Sequence, residues 1–100
     1  MEKMPQKLFL SVTYAFPDME KRDGFYNEVK ALKMEETCLK EAGCEKYSYA
    51  IDAKEPLLYL TEIWESESCQ VRHTKTPHFS LLGGLKAKYA AGTSIERKLV

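Results

Sequence analysis

Two segments of this 100-residue chain, residues 7–16 and 57–65, alternate like β-strands but have no properly polar face. In the second segment, one face consists of Leu58, Leu60, Glu62 and Trp64. The other face consists of Leu57, Tyr59, Thr61 and Ile63. Strands that are apolar on both faces are usually covered on both sides. The sequence therefore predicts a sheet that is covered above and below.

A long helix is predicted after the first strand. Asp18 offers an N-cap, the helix is expected over residues 19–42, and Gly43 is a natural stop. Its apolar stripe consists of Phe25, Val29, Leu32 and Leu39. On the polar side, Asp18 and Arg22 have the spacing of an exposed ion pair.

A second helical region is predicted after the strand that ends at Trp64-Glu65. Ser66 can cap a short helix that continues to about Thr74. Thr76-Pro77 can start another helix, because threonine caps well and proline suits the first helical position. The buried side of this helix is predicted to consist of Leu81, Leu82 and Leu85. Gly83-Gly84 is expected to break or bend it.

Further strands are predicted over residues 44–52 and 93–99, which gives the element order β-α-β-β-α-β. This is the split βαβ order of ferredoxin-like folds, so one α+β domain spanning residues 1–100 is predicted. Two helices cover only one face of a four-stranded sheet. A second copy of the chain is the simplest cover for the other face, and we therefore expect a homodimer with its sheets packed face to face.

Composition limits the binding partners and the cellular location that the sequence predicts. Lysine plus arginine number 15 and aspartate plus glutamate number 15, so the net charge of zero gives no field that attracts nucleic acid or anionic lipid. No apolar run approaches the roughly 20 residues of a membrane helix, and the N-terminal MEKMPQKLFL lacks the apolar core of a signal peptide. Cys38, Cys44 and Cys69 show neither metal-site nor redox-motif spacing, which predicts a reducing, cytoplasmic location.

Glu62 is the first candidate for chemistry. Its neighbours on the same strand face are Leu60 and Trp64, so its carboxylate must pair, form hydrogen bonds or have a raised pKa. Two interpretations follow. Glu62 is either a structural partner of a buried donor, or a general base or polar anchor in a pocket.

The two histidines, His73 and His78, are separated by the Thr76-Pro77 turn, which lets their rings converge. His78 falls in the first turn of a helix, where the dipole favours the neutral ring. A neutral imidazole can accept a proton from a substrate, although a packed histidine at a helix corner is an equal alternative. With only two histidines, a multi-histidine metal site within one subunit is not expected, and no metal is predicted.

The aromatic residues either pack in the core or line a pocket for a flat apolar ligand. The candidates for binding a substrate are Trp64, Tyr47, Tyr49 and Phe79. Cys69 has no evident base beside it in the sequence, so a small buried filler is the favoured interpretation.

Around these residues the sequence resembles the antibiotic biosynthesis monooxygenase family. The similar positions are Glu62-x-Trp64-Glu65-Ser66, His73, Thr76-x-His78-Phe79, the turn Glu41-x-Gly43-Cys44-x-x-Tyr47, and Phe25. The resemblance implies a dimeric α+β barrel with a pocket between the helices and the sheet of each subunit. It also implies oxygenation of quinols or polycyclic phenols by O₂ without flavin, metal or haem, and therefore no cofactor. His73, His78 and Glu62 become the candidate catalytic residues.

Relatives within this family leave alternatives open. Haem degradation is disfavoured, because Leu81-Leu82-Gly83-Gly84 occupies the region of the haem-ligating histidine and His73 stands where a tryptophan is expected. A non-catalytic small-molecule-binding or stress-related dimer is one alternative. An isomerase of a small carbonyl compound is another, and a polar pocket reached by Arg72 or Lys75 would favour it.

Overall fold

The computed structural model of the protein describes residues 6–100. The strands are β1 (Leu8–Ala15), β2 (Cys44–Ile51), β3 (Leu57–Trp64) and β4 (Gly92–Leu99). The helices are α1 (Met19–Ala31), α2 (Met34–Leu39), α3 (Glu67–His73) and α4 (Pro77–Lys88). None of these helices is long and apolar enough to cross a membrane. The segment considered as a signal peptide starts at residue 1, and residues 1–5 of that segment lie outside the described part of the chain.

The four strands form one antiparallel sheet in the order β2-β3-β1-β4. This order and the sequence of elements confirm the predicted α+β, ferredoxin-like fold. All four strands lie within one or two residues of their predicted boundaries. The β-branched and aromatic residues of 7–16 predict β1, and the opposition of Ile95, Arg97 and Leu99 to Ser94, Glu96 and Lys98 predicts β4.

The helices pack on one face of the sheet, and the core lies between the two layers. The predicted face of β3 points into it, since Leu58, Leu60, Glu62 and Trp64 are all buried. Phe25 and Val29 of α1 and Leu82 and Leu85 of α4 pack there from the other layer. No helix of residues 6–100 lies on the opposite face of the sheet, where Phe9 and Ile63 lie side by side, partly exposed.

The predicted long helix over 19–42 is wrong, because the chain forms two helices. Lys33 adopts a left-handed conformation with φ 54° between α1 and α2, which turns the axis and rotates the apolar stripe. Leu32 and Leu39 are consequently each 45% exposed, and Met34 and Cys38 are buried in their place. The Asp18 cap is confirmed, since its carboxylate accepts a hydrogen bond from the Lys21 amide.

Two predictions about the last helix are also wrong. The helix α4 continues through Gly83-Gly84 to Lys88, and Leu81 is 54% exposed. Each glycine costs only about 1 kcal/mol relative to alanine, which the predicted Thr76 cap, the N-terminal proline and the buried leucines offset. The predicted helix from Ser66 is confirmed as α3, whose first turn is capped by the Ser66 hydroxyl.

Arg22 does not form the predicted exposed pair with Asp18. It is 6% exposed, and its guanidinium donates to the carbonyl oxygens of Asp52 and Glu55, each at 2.8 Å, and pairs with Asp23. Both of these carbonyl oxygens belong to the β2–β3 turn, and the Glu55 oxygen also accepts a hydrogen bond from the Leu57 amide. Arg22 thus connects α1 to the turn between the two strands.

Gly43 joins the end of the α2 region to β2 at a position that only glycine fits. Its φ of +83° lies in the left-handed region, and a Cβ there would collide with the Cys69 side chain of α3. Its carbonyl accepts a hydrogen bond of 2.7 Å from the Glu65 amide. This close approach brings Glu41, two residues earlier, against the helices α3 and α4.

Candidate active site

Both histidines bind one carboxylate. The Nδ1 atom of His73 lies 2.6 Å from Oε2 of Glu41, and the Nε2 atom of His78 lies 2.7 Å from the same oxygen. His73 is the last residue of α3, His78 lies in the first turn of α4, and Glu41 lies between α2 and β2. Three separate parts of the chain therefore converge on a single oxygen atom.

The turn between α3 and α4 sets the positions of the two rings. The Thr76 hydroxyl donates to the His73 carbonyl at 2.8 Å and accepts from the Phe79 amide at 3.2 Å. This N-cap ties the end of one helix to the start of the next. The ring centroids of His73 and His78 lie 5.8 Å apart as a result, so the predicted convergence of the two rings is confirmed.

The hydrogen bond to Glu41 determines the tautomer of His73. An ionised carboxylate only accepts hydrogen bonds, so a neutral His73 ring paired with ionised Glu41 carries its proton on Nδ1 and keeps the lone pair on Nε2. Within residues 6–100, Nε2 of His73 has no hydrogen-bond partner. The ring is held between Trp64 and Phe79, with centroid distances of 4.9 Å and 5.2 Å. Its orientation is thus fixed by packing as well as by Glu41.

A cavity of about 110 Å³ lies beside this ring, between the sheet and the helices. We call it the His73 cavity, and its lining residues are Leu10, Val12, Tyr14, Tyr47, Glu62, Gln70, His73, Phe79, Leu82, Lys86, Thr93 and Ile95. Ile95 on β4 is 58% exposed, so the cavity reaches the surface along this edge strand. The polar groups that face the cavity come from both layers.

The predicted site residues separate into two groups. His73, Glu62, Tyr47 and Phe79 line the His73 cavity. Trp64, Tyr49 and His78 lie behind these residues. Trp64 donates to Glu62, Tyr49 lies 3.5 Å from the Tyr47 hydroxyl, and His78 binds Glu41.

The two cations whose presence at the pocket would have favoured the isomerase alternative are absent from the lining. Neither Arg72 nor Lys75 is among the residues around the His73 cavity, whereas Lys86 of α4 is. The sequence offered little to single out Lys86, since it is one of two lysines near the end of α4. The cavity therefore has one positive group at its wall.

Glu62 points into the interior, as predicted. It is 6% exposed, and its Oε1 atom accepts a hydrogen bond of 2.9 Å from the Trp64 indole nitrogen. Burial raises the pKa of Glu62, while the Trp64 hydrogen bond and the nearby His73 oppose that change. Glu62 is thus a carboxyl group whose proton is more tightly held than usual.

The tyrosine hydroxyls of the core stay neutral at ordinary pH. Burial raises the pKa of Tyr14, Tyr47 and Tyr49 well above the usual range. None of the three can therefore act as a phenolate base near pH 7. They contribute neutral hydroxyl groups and aromatic surface.

Sequence reasoning missed a group of four side chains around Glu41. The donor atoms of Cys38, Glu41, His73 and His78 all lie within 4.8 Å of one another, and we call these residues the four-donor cluster. Burial, reinforced by the Glu41 carboxylate, raises the pKa of the Cys38 thiol. The sequence signal that could have pointed to this cluster was the turn that contains Glu41 and Gly43. Cysteine spacing alone does not reveal ligands that come from separate elements.

The chain matches the family model described as antibiotic biosynthesis monooxygenase over residues 9–81. No curated protein is similar enough in sequence to count as a match. The matched segment contains Glu41, Glu62 and both histidines. This match supports a general monooxygenase-like role.

Solved structures show the same fold. A conserved protein of unknown function from Bacteroides thetaiotaomicron, named as a possible oxidoreductase, has a TM-score of 0.84 at 20% identity, with 97% of this chain and 100% of that chain covered. A protein from Deinococcus radiodurans, whose name proposes an antibiotic biosynthesis monooxygenase, has a TM-score of 0.79 at 14% identity, with coverage of 91% and 89%. Because the family model spans well over half of its residues, this chain belongs to the antibiotic biosynthesis monooxygenase family.

Proposed function

We propose that this protein is a monooxygenase that oxidises a single-ring quinol or related phenol with O₂, without flavin, haem or metal in the reaction. The observation that supports it best is the arrangement of His73. Its Nδ1 atom lies 2.6 Å from Oε2 of Glu41, and the ring lines a cavity with aromatic walls. A histidine oriented in this way by a carboxylate is a competent general base.

The size of the His73 cavity limits the substrate. Its volume is about 110 Å³, whereas an engineered cavity of about 150 Å³ binds benzene and drug-sized ligands occupy roughly 300–1,000 Å³. A single ring with its substituents directed toward the β4 edge is compatible with this space. We therefore favour a single-ring substrate over the polycyclic phenols that the resemblance includes, and the same comparison disfavours haem.

Deprotonation of the substrate is the step that the protein assists. A phenol has a pKa near 10, as tyrosine does, so few molecules are ionised at neutral pH. In our proposal Nε2 of His73 takes the phenolic proton, and Glu41 stabilises the resulting imidazolium. Lys86, at the cavity wall, favours the phenolate by its charge, and Glu62 binds the second hydroxyl group.

The phenolate is electron-rich and passes an electron to O₂, and the resulting radical pair combines at a ring carbon. One oxygen atom of O₂ becomes bonded to that ring carbon, and the other leaves as water. For hydroquinone, the balance is quinol plus O₂ giving hydroxyquinone plus water, in which the quinol loses four electrons and O₂ gains four. The walls of the His73 cavity, which include Tyr14, Tyr47 and Phe79, limit the contact of the intermediates with bulk solvent.

We also infer that two chains pack through the open face of the sheet. Phe9 and Ile63 are paired in register on that face, and Tyr59 adds a further ring that is 36% exposed. This apolar surface lies opposite the helices. A face-to-face dimer would bury it and leave the His73 cavity of each chain on the outer side.

Oxygen uptake by chelator-treated protein, measured over a panel of single-ring and polycyclic quinols, tests the function. We expect single-ring quinols to be consumed with one O₂ each, and His73→Gln to lower turnover by about 10²–10⁴. Glutamine is chosen because His73 is 2% exposed, so alanine would leave a cavity. Val71→Ala, on the exposed side of α3, is the matched control and should retain full activity.

Two results would contradict the proposal. Binding of quinols without oxygen uptake would indicate the non-catalytic alternative. Full turnover by His73→Gln, with its fold verified by circular dichroism, would remove His73 as the base.

A further inference from the structure

The four-donor cluster has a composition that hydrogen bonding alone does not require. Cys38 lies on α2 and is fully buried, Glu41 follows α2, and the two histidines come from α3 and α4. Their donor atoms lie within 4.8 Å of one another. We propose that Cys38, Glu41, His73 and His78 form a binding site for one divalent transition-metal ion of the zinc class.

The identity of the donors favours this class of metal. One thiolate, two imidazoles and one carboxylate are the ligand types that Zn²⁺ and Co²⁺ take, whereas Mg²⁺ and Ca²⁺ prefer oxygen alone. Zinc bonds of about 2.0–2.3 Å place tetrahedral donors roughly 3.3–3.8 Å apart. The cluster needs only small side-chain shifts to reach that geometry from its present spacing.

The two imidazole nitrogens already converge on one point. Both Nδ1 of His73 and Nε2 of His78 contact the same oxygen of Glu41, at 2.6 Å and 2.7 Å. A metal ion entering between them replaces the two N–H···O bonds by two metal–nitrogen bonds, and Glu41 retreats slightly to become the third ligand. Cys38 closes the site from the core side.

Metal binding would reverse the hydrogen-bonding character of His73 in the cavity, a consequence that rests on the proposed function. A metal on Nδ1 leaves the proton of the neutral ring on Nε2. That nitrogen then donates instead of accepting and can no longer take a proton from a phenol. The metal is therefore an inhibitor of the proposed oxidation, and it acts through the nitrogen that faces away from the substrate.

Titration of untagged, reduced, metal-free protein with Co²⁺ tests the site without reference to activity. We expect one Co²⁺ per chain, the d–d absorption of tetrahedral cobalt, and a thiolate-to-cobalt charge-transfer band. Cys38→Ser should abolish the charge-transfer band, and Cys44→Ser, a cysteine outside the cluster, should retain it. No band in the wild-type protein, or a band that persists in Cys38→Ser, would overturn the site.

His78→Ala provides a second test, because His78 is partly exposed and its loss leaves the core intact. We expect its affinity for Co²⁺ to fall by more than about 100-fold, since changes outside the ligand shell already cost about 10–100-fold. An unchanged affinity would equally overturn the site.

Zinc inhibition separates the two proposals. If the quinol oxidation is observed, stoichiometric Zn²⁺ should lower it by about 10²–10⁴, as expected for loss of the base. Metal binding with undiminished turnover would overturn the inhibitory role but not the function. A cobalt spectrum without any oxidase activity would contradict only the proposed function.

Discussion

At the scale of single residues, the site depends on where protons are held. Glu41 fixes one proton on His73, and the buried environment holds another on Glu62 more tightly than usual. Glu62 lines the His73 cavity directly, whereas Glu41 acts on the cavity through His73. In the proposed reaction the surroundings of each group, and not its residue type, make His73 the base and Glu62 a binding group that holds its proton.

Glu62→Gln tests the raised pKa of Glu62. Because the folded chain binds this proton more tightly than the unfolded chain, the wild-type protein loses stability as pH rises through the folded-state pKa. Glutamine keeps an oxygen that accepts from Trp64 and cannot ionise. We expect the variant to have a higher melting temperature than wild type at pH 8 and an equal one below about pH 4. Glu36→Gln, at an exposed site on α2, should change neither.

Lys86→Met tests the positive wall of the cavity. Loss of the charge should lower turnover of quinols by about tenfold, equivalent to about 1.4 kcal/mol of phenolate stabilisation. Lys75→Met is the matched control, since Lys75 lies outside the lining of the His73 cavity. Steady-state oxygen uptake gives both values. Equal loss in the two variants would point to a general charge effect and would remove Lys86 from the site.

The sequence predicted part of this site. The interior position of Glu62 followed from its two apolar neighbours on the strand, and the convergence of the histidines followed from the Thr76-Pro77 turn. Glu41 was missed because it lies 32 and 37 positions from its partners. A contact at that separation depends on how helices dock, and single-sequence periodicity contains no such information.

At the scale of elements, the junction at Gly43 holds the site together. It allows α3 to approach the end of the α2 region closely enough for Glu41 to contact both histidines. A side chain there would push against Cys69. The stability of the junction and the geometry of the site are therefore coupled.

Gly43→Ala should lower the free energy of unfolding by at least about 1–3 kcal/mol, the cost of a strained backbone conformation, with the Cys69 collision adding to it. Gly83→Ala is the matched control. Apart from its chain neighbours and the backbone of its own helix, no atom of residues 6–100 lies within 4 Å of a Cβ at Gly83. Alanine inside α4 should therefore raise the free energy of unfolding by about 0.5–1 kcal/mol. Urea denaturation measures both. Two changes of the same sign would contradict the role of the junction.

Secondary structure was predicted well where alternation or capping residues mark it, as in the strands and in the helices that begin after Ser66 and Thr76. The sequence did not predict the break at Lys33, because lysine normally avoids the left-handed region. Here the docking of Met34 and Cys38 into the core outweighs the local preference. In α4, packing also outweighs local preference, but there the result is a continuous helix: the buried leucines keep α4 helical through Gly83-Gly84.

At the scale of the whole molecule, the open face of the sheet leads to a prediction about assembly. Ile63→Lys places a charge beside Phe9, on the face of the sheet that we propose is covered by a second chain. Light scattering should then show 11.5 kDa instead of twice that mass. Leu81→Lys, at a 54% exposed position on α4, is the control and should remain dimeric. A wild-type mass of 11.5 kDa would rule out the dimer.

The position of the edge strand β4 would let the substrate preference of the proposed reaction change without a change in the fold. All eight of its residues are exposed, yet Thr93 and Ile95 line the His73 cavity. Substitutions at these two positions can reshape the entrance while the buried residues of β1 and β3 stay as they are. Selection for a new substrate can therefore act on β4 without first having to find compensating changes in the core.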